Sequence, residues 1–171
     1  METMSDIVTI SQQKEELLRN KIHEVNAIIV NDPGTAAKTA LEKLAEILLS
    51  KFPVDVLGEL DGQNMFEFTN QRFNFIQESL AETVSVSVSP YTINGPADNG
   101  SAVILELLIK ERPFIIDSLT EYLHDKQYQL SLMTYPVLSI DTSDHKEIRG
   151  IGYGTEETDT NFVYCCCVID N

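Results

Sequence analysis

The segment AVILELLIKERPFIIDSLTEYLHDKQYQLSLMTYPVLSI, Ala102 to Ile140, constrains the fold most tightly. AVILELLIK is a nearly continuous apolar run whose length and β-branched content suit a central strand. Pro113 fits the first turn of a following helix, where its missing N–H leaves no hydrogen bond unmade. Ile115, Ile116, Leu119, Tyr122 and Leu123 then form one apolar stripe. His124, Asp125 and Lys126 close that helix, with His and Lys placed to suit its dipole. YQLSLMTYPVLSI reads as a third strand, in which Pro136 points to an edge, a bulge or a bend. A chain that runs strand, helix, strand over so few residues is building a compact α/β unit, and no evident catalytic group lies within it.

The sequence before this unit has a different period. After a loose lead-in over residues 1–10, Leu17, Leu18, Ile22, Val25, Ile28 and Ile29 recur at helical spacing from about Gln12, with Ser11 as an N-cap. Asn31-Asp32-Pro33-Gly34 stops that helix. A second begins at Thr35 or Ala36, carries Leu41, Leu44, Ala45, Leu48 and Leu49 on one face, and ends at Phe52-Pro53. VDVLGELDG reads as a turn segment, and Asn64 is placed to cap a third helix. Its Phe66, Phe73, Ile76 and Leu80, with Phe68 and Phe75, predict burial of more than one face. The period then switches to two. In TVSVSVSPY, Val84, Val86 and Val88 alternate with Ser85, Ser87 and Ser89, which predicts a half-buried strand with one wet, serine-lined face. A turn-rich loop leads to Ala102. Beyond Ile140, a polar connection, a Gly- and Thr-rich short strand with its loop, and the strand NFVYCCCVID complete the chain.

The order is therefore helices first, then strand–strand–helix–strand–strand, which means an α+β fold. The short crossover implies an antiparallel sheet of the ferredoxin-like, split βαβ kind with a packed helix. The boundary falls between a helical segment over 1–82 and an α+β domain over 83–171. Such a domain needs a further helix and strand after NFVYCCCVID, so the expectation is that it is truncated at its C-terminus.

Charge narrows the function. Acidic side chains number 27 against 12 basic ones, a net charge of −15. Phosphate contacts need clustered Lys and Arg, so nucleic acid is not expected as a partner, nor is an anionic membrane surface. No apolar run approaches the ~20 residues of a membrane span, and no secretory signal opens the chain. The cytoplasm is the expected location. Cys165, Cys166 and Cys167 are consecutive, so in a strand they alternate faces and do not converge on one metal. They read as small buried residues; the competing reading is a reactive thiol paired with one of the histidines. His23 reads as a surface or structural residue, and His145 and the run Glu156, Glu157 and Asp159 as solvated loop groups.

The unit ERPFIIDSLTEYL followed by SLMTYPVL resembles the N-terminal region of the large bacterial NAD-dependent glutamate dehydrogenases. Pro113, Phe114, Ile115, Ile116, Asp117 and Ser118 match that family's helix start, and Pro136, Val137 and Leu138 its strand end. The likeness spans roughly residues 84–140. The unit is also similar to the ACT fold, a βαββαβ module that often senses amino acids. Two departures stand out. Phe114 replaces the glycine of an Asp-Arg-Pro-Gly turn, filling space where backbone would approach a ligand. Tyr135 stands where the dehydrogenases usually have His, so no role of that His transfers.

The resemblance implies a non-catalytic regulatory or assembly domain of a larger enzyme that deaminates glutamate to 2-oxoglutarate with NAD. The dinucleotide fingerprint is not in these residues, so no cofactor is expected to bind this chain itself. Its expected partners are the rest of the parent polypeptide, further copies in a homo-oligomer, and an amino-acid effector. The helix N-terminus after the Glu111-Arg112-Pro113 turn offers N–H groups to an effector carboxylate. Arg112 adds a charge-assisted bond, and Thr134 and Tyr135 line the same cleft. The plainer alternative is that Arg112 is solvated, Tyr135 packs, and Asp117 and Ser118 serve the first helical turn. A free-standing amino-acid sensor and a pure interaction module, pairing through a sheet edge, are the other readings.

Overall fold

The computed structural model describes residues 4–32, 37–91, 102–110, 114–143, 147–154 and 161–170, with side chains from residue 12 onward. Helices come first. α1 spans Met4–Asn31, α2 Lys38–Leu49, α3 Val54–Glu59 and α4 Gly62–Ser79. Six strands and one helix follow: β1 Val84–Pro90, β2 Ala102–Lys110, α5 Ile115–Asp125, β3 Gln129–Thr134, β4 Val137–Thr142, β5 Ile148–Tyr153 and β6 Asn161–Asp170. The fold is α+β, as the pattern of periods requires.

Several local expectations change. α1 starts at Met4, so Ser11 lies inside it and not at its cap; neither Pro nor Gly interrupts residues 4–12, and the helix simply continues. α2 begins at Lys38, while Thr35 lies outside the described residues, as does Ala36. It ends at Leu49, three residues short of Phe52, with the Ser50 N–H returned to the Glu46 carbonyl. VDVLGELDG is no turn segment: Val54–Glu59 is a short helix that starts directly after Pro53 and buries Leu57. Fewer than two turns give a periodicity too short to read. The cap of α4 is Asp61, whose carboxylate accepts the N–H of Asn64 at 2.7 Å. The donor and the cap are thus the reverse of the expected roles. On α4, Phe68, Phe73 and Ile76 are buried while Phe66, Phe75 and Leu80 pack at the margin of the core, so more than one face is used.

All strand pairings are antiparallel, in the order β1-β2-β6-β4-β5, with β3 also on β6. β3 and β4 lie end to end along one side of β6. The expected single strand is broken at Tyr135-Pro136: Pro136 has no N–H for the ladder, but its carbonyl accepts the Tyr164 N–H at 3.1 Å. β2 and β3 flank β6 and both oppose it, so β2–α5–β3 is a parallel crossover with a strand between, the split βαβ arrangement.

The sheet has two unlike faces. Ile104 and Leu108 of β2, Phe162, Tyr164, Cys166 and Val168 of β6, and Leu138 and Ile140 of β4 share one continuous core with Val25, Leu41, Leu44, Phe52, Met65 and Ile76 of the helical layer. The other face carries Cys165, Cys167 and Ile169, packed with Leu123 of α5 and the half-buried Leu105, Leu107, Ile116 and Leu119. β1 overturns the expected orientation. Its serines lie opposite Ile104, Glu106 and Leu108 on the helix-covered face, and its valines opposite Leu105, Leu107 and Ile109. Val84, Val86 and Val88 are 49%, 62% and 64% exposed. The alternation is real, but α5 covers β6 and β3 and stops short of β1, so it is the apolar side that meets solvent.

Candidate functional site

The turn at Glu111 lies outside the described residues, together with Arg112 and Pro113, as does His145. The helix start just after that turn is described. Phe114 sits in the left-handed region at φ 65° and is 75% exposed. Its ring projects into solvent from a backbone position that favours glycine. Its carbonyl accepts the Ser118 N–H at 3.0 Å, the first helical bond, and no side chain caps the helix. Asp117 and Ser118 occupy the exposed first turn.

Thr134 and Tyr135 lie elsewhere, in a groove where β3 breaks into β4. Lys51, Met133, Thr134, Tyr135, Pro136, Val137, Tyr153 and Gly154 line it around about 460 Å³. That volume suits a small ligand. The groove joins two of the sequence-expected residues and excludes Asp117 and Ser118. Thr134 is buried, whereas Tyr135 and Tyr153 expose about half their surface. Lys51 enters from the segment after α2, so the helical layer supplies the cation and the sheet supplies the rest. Tyr153 is fixed from two sides: its hydroxyl lies 3.4 Å from Ser50 Oγ, and Lys43 Nζ stands 5.7 Å from its ring centroid. Gly154 is sterically required. A Cβ there would come within 2.6 Å of Val137 Cγ1 and 3.0 Å of Asn161 Oδ1. Lys51 and Tyr153 escaped the sequence reading. The IGYG segment that reads only as a short strand carries Tyr153, the second tyrosine of the groove beside Tyr135.

A second polar constellation is buried beneath α4. Arg72 Nε lies 2.8 Å from Glu106 Oε1, and Tyr164 donates its hydroxyl to the same oxygen at 2.8 Å. Arg72 is 3% exposed, Glu106 3% and Tyr164 fully buried. The contact from Arg72 Nε is an ion pair at good distance whose N–H is not aimed along a hydrogen-bond line, and Arg72 Nη1 has no partner among the described residues. The guanidinium also stacks over Phe68, 4.9 Å from its centroid. Burial pushes the Glu106 carboxyl above the ordinary carboxylate range, against the opposing pull of Arg72 and the Tyr164 hydrogen bond. Burial likewise pushes the Tyr164 hydroxyl well up. The signal for this cluster was present: Glu106 is the single acid in an apolar strand, and Arg72 interrupts an apolar helix face. Opposite charges in two apolar settings are expected to meet.

The three thiols are buried. Cys165 and Cys167 share the α5 face, their sulfurs 3.5 Å apart, and Cys166 faces the helical core. The hydrogen bond with Cys167, and then burial, push the Cys165 thiol up, and burial pushes Cys166 to about 12. His23 and His124 are exposed on their helices. The same Cys165–Cys167 hydrogen bond pulls the Cys167 thiol down against its burial, but all three sulfurs are enclosed in the core, away from any solvent-borne partner. Among the described residues no cluster of His, Cys, Asp or Glu is placed to hold a metal ion, and no helix is long and apolar enough to cross a membrane.

No curated protein and no solved structure matches the chain. A family model does, across α2 to β6: the glutamate dehydrogenase ACT1 domain matches residues 44–164, and the chain belongs to that family.

Proposed function

We propose that this chain is an N-terminal regulatory or assembly domain of a large, cytoplasmic, NAD-dependent glutamate dehydrogenase, and that the oxidative deamination of glutamate to 2-oxoglutarate and ammonia takes place elsewhere in the parent polypeptide. The family match over residues 44–164 carries the reading. The groove at the β3–β4 break supports a regulatory role, because it has the volume of an effector site and draws on both layers of the domain. NAD belongs to the parent's catalytic region in this reading. The domain's own partners are that region, further copies of the enzyme and a small effector. Removing residues 1–171 from the full-length enzyme tests the proposal. Altered oligomeric state, glutamate kinetics or effector response is expected; a truncated enzyme unchanged in all three refutes it.

A second reading, an interaction module, draws on one observation. β1 is an edge strand with no ionisable acid or base from Thr83 to Tyr91, and its valines are exposed. Edge strands that face solvent safely usually carry charges. This strand therefore suits pairing with another chain. Val86→Lys would disperse such a complex and leave effector binding intact.

A further inference from the structure

We infer that β1 is a self-pairing edge: two copies of the chain join their β1 strands antiparallel, with Val86 on the twofold axis, and run their two sheets into one. This names the partner for the interaction-module reading above and rests on it.

The backbone sets what the edge offers. The Tyr91 N–H donates to the Ala102 carbonyl at 3.0 Å, and the β1–β2 register puts Pro90 opposite Val103, so Tyr91 and Ala102 face each other as a hydrogen-bonded pair. Such pairs alternate along an antiparallel ladder. Ser85, Ser87 and Ser89 therefore turn their peptide groups toward β2, while Val84, Val86, Val88 and Pro90 turn theirs outward from the sheet. β1 ends the sheet order, so no described strand takes these outward groups. Pro90 falls at an outward position. Its missing N–H costs the β1–β2 ladder nothing, and it stops any outer ladder from running past Val88.

The side-chain pattern selects the partner. VSVSV, residues 84–88, reads the same in both directions. A second copy running antiparallel therefore meets it valine to valine and serine to serine. With Val86 on the axis, Val84 faces Val88 of the partner subunit, and each facing pair of valines exchanges both of its N–H···O bonds. Moving the axis to Val88 sets Val86 against Pro90 of the partner subunit and forfeits a bond. Moving it to Val84 runs Val88 against Leu80 of the partner subunit, the residue that caps α4. On the α5 face, the exposed valines of both copies then form one apolar strip continuous with the half-buried Leu105 and Leu107. Charge allows the approach. Two chains of net charge −15 repel, and Thr83 to Tyr91 holds no Asp, Glu, Lys, Arg or His.

The strip is narrow. Three valines and a strand edge bury less than the ~800 Å² per partner of stable complexes, so the expected dissociation constant is about 0.1–1 mM. At micromolar concentration the chain is a monomer with its valines in solvent. Copies held together in one assembly reach effective concentrations of ~mM, enough to close the pair.

Sedimentation of the 171-residue chain from about 10 µM to about 1 mM tests this, together with cysteine cross-linking by oxidised glutathione. A reversible dimer is expected, strengthened by added salt because salt screens the repulsion between like-charged copies. Val86→Lys should remain a monomer throughout. Val86→Cys should cross-link to itself, since facing residues in a hydrogen-bonded pair lie ~5.5 Å apart between Cα atoms, within disulfide reach. Val84→Cys alone and Val88→Cys alone should not, being about 13 Å from their own counterparts, whereas the two variants mixed should cross-link to each other. A chain monomeric at the highest concentration, a dimer that survives Val86→Lys, or Val84→Cys linking to itself as readily as Val86→Cys would overturn the inference. If the isolated chain pairs in this register but Val86→Lys leaves assembly of the full-length protein unchanged, the self-pairing stands and the interaction-module reading falls. If Val86→Lys disrupts that assembly while the isolated chain never dimerises, the reading stands and the second copy is not the partner.

Discussion

On one face of the sheet four helices cover the strands so fully that an arginine and a glutamate are buried with them; on the other, a single helix packs over β6 and β3 and leaves the valines of β1 in solvent. The contrast separates what holds the domain together from what it offers outward. The helix-covered face joins residues from Val25 to Val168 in one core, so the helical segment and the sheet stabilise each other. The α5 face has a smaller core around Leu123, Cys165, Cys167 and Ile169 and ends in an apolar edge. Binding surfaces belong where covering is incomplete. The groove follows the same logic: it opens where Pro136 interrupts the strand and the segment after α2 meets the sheet.

The sharpest way to break the comparison is at the buried ion pair. Arg72→Ala strands Glu106 and is expected to cost about 3–5 kcal/mol in urea unfolding. Arg72→Met with Glu106→Leu removes both charges and should cost far less than the single change; equal losses would show that the pair is not a unit. The same carboxyl supplies a pH signature. Its folded pKa lies above its unfolded one, so the stability it contributes is fully present below about pH 4.3 and is lost as pH rises through the folded value. Glu106→Gln should remove that slope from the pH dependence of unfolding.

On the α5 face the expected losses are smaller and depend on position. Leu123→Ala, at 2% exposure, should cost about 2–4 kcal/mol, because it opens a cavity between α5 and the sheet. Phe114→Gly should stabilise by up to about 1 kcal/mol, since the left-handed backbone is relieved and an exposed ring loses little packing. Val86→Thr, on the uncovered edge, should stay within about 0.5 kcal/mol. If Val86 proved as sensitive as Leu123, the edge would be covered in solution and the contrast between the faces would fail.

Much of this was legible from periods. The change from 3.6 to 2 near Glu82 announces helices followed by strands, and the β2–α5–β3 crossover is readable from AVILELLIK, Pro113 and YQLSLMTYPVLSI. Strand polarity was not. Alternation in VSVSVS reveals two faces, but which face is buried depends on whether a helix happens to lie over it, a tertiary fact. The sequence reading assigned water to the serines, and the short reach of α5 gives it to the valines. α3 escaped for a different reason, being too short to show a period. The candidate site was half legible. Thr134 and Tyr135 stand beside the proline that interrupts their strand, but Lys51, 84 positions before Tyr135, enters only through the fold.

The proposal that this domain is one part of a long dehydrogenase polypeptide is tested most directly by immunoblotting the source cells with an antibody raised against it. A band many times larger than 19.2 kDa is predicted. A single band at 19.2 kDa would contradict the account, making the chain a free-standing sensor or adaptor.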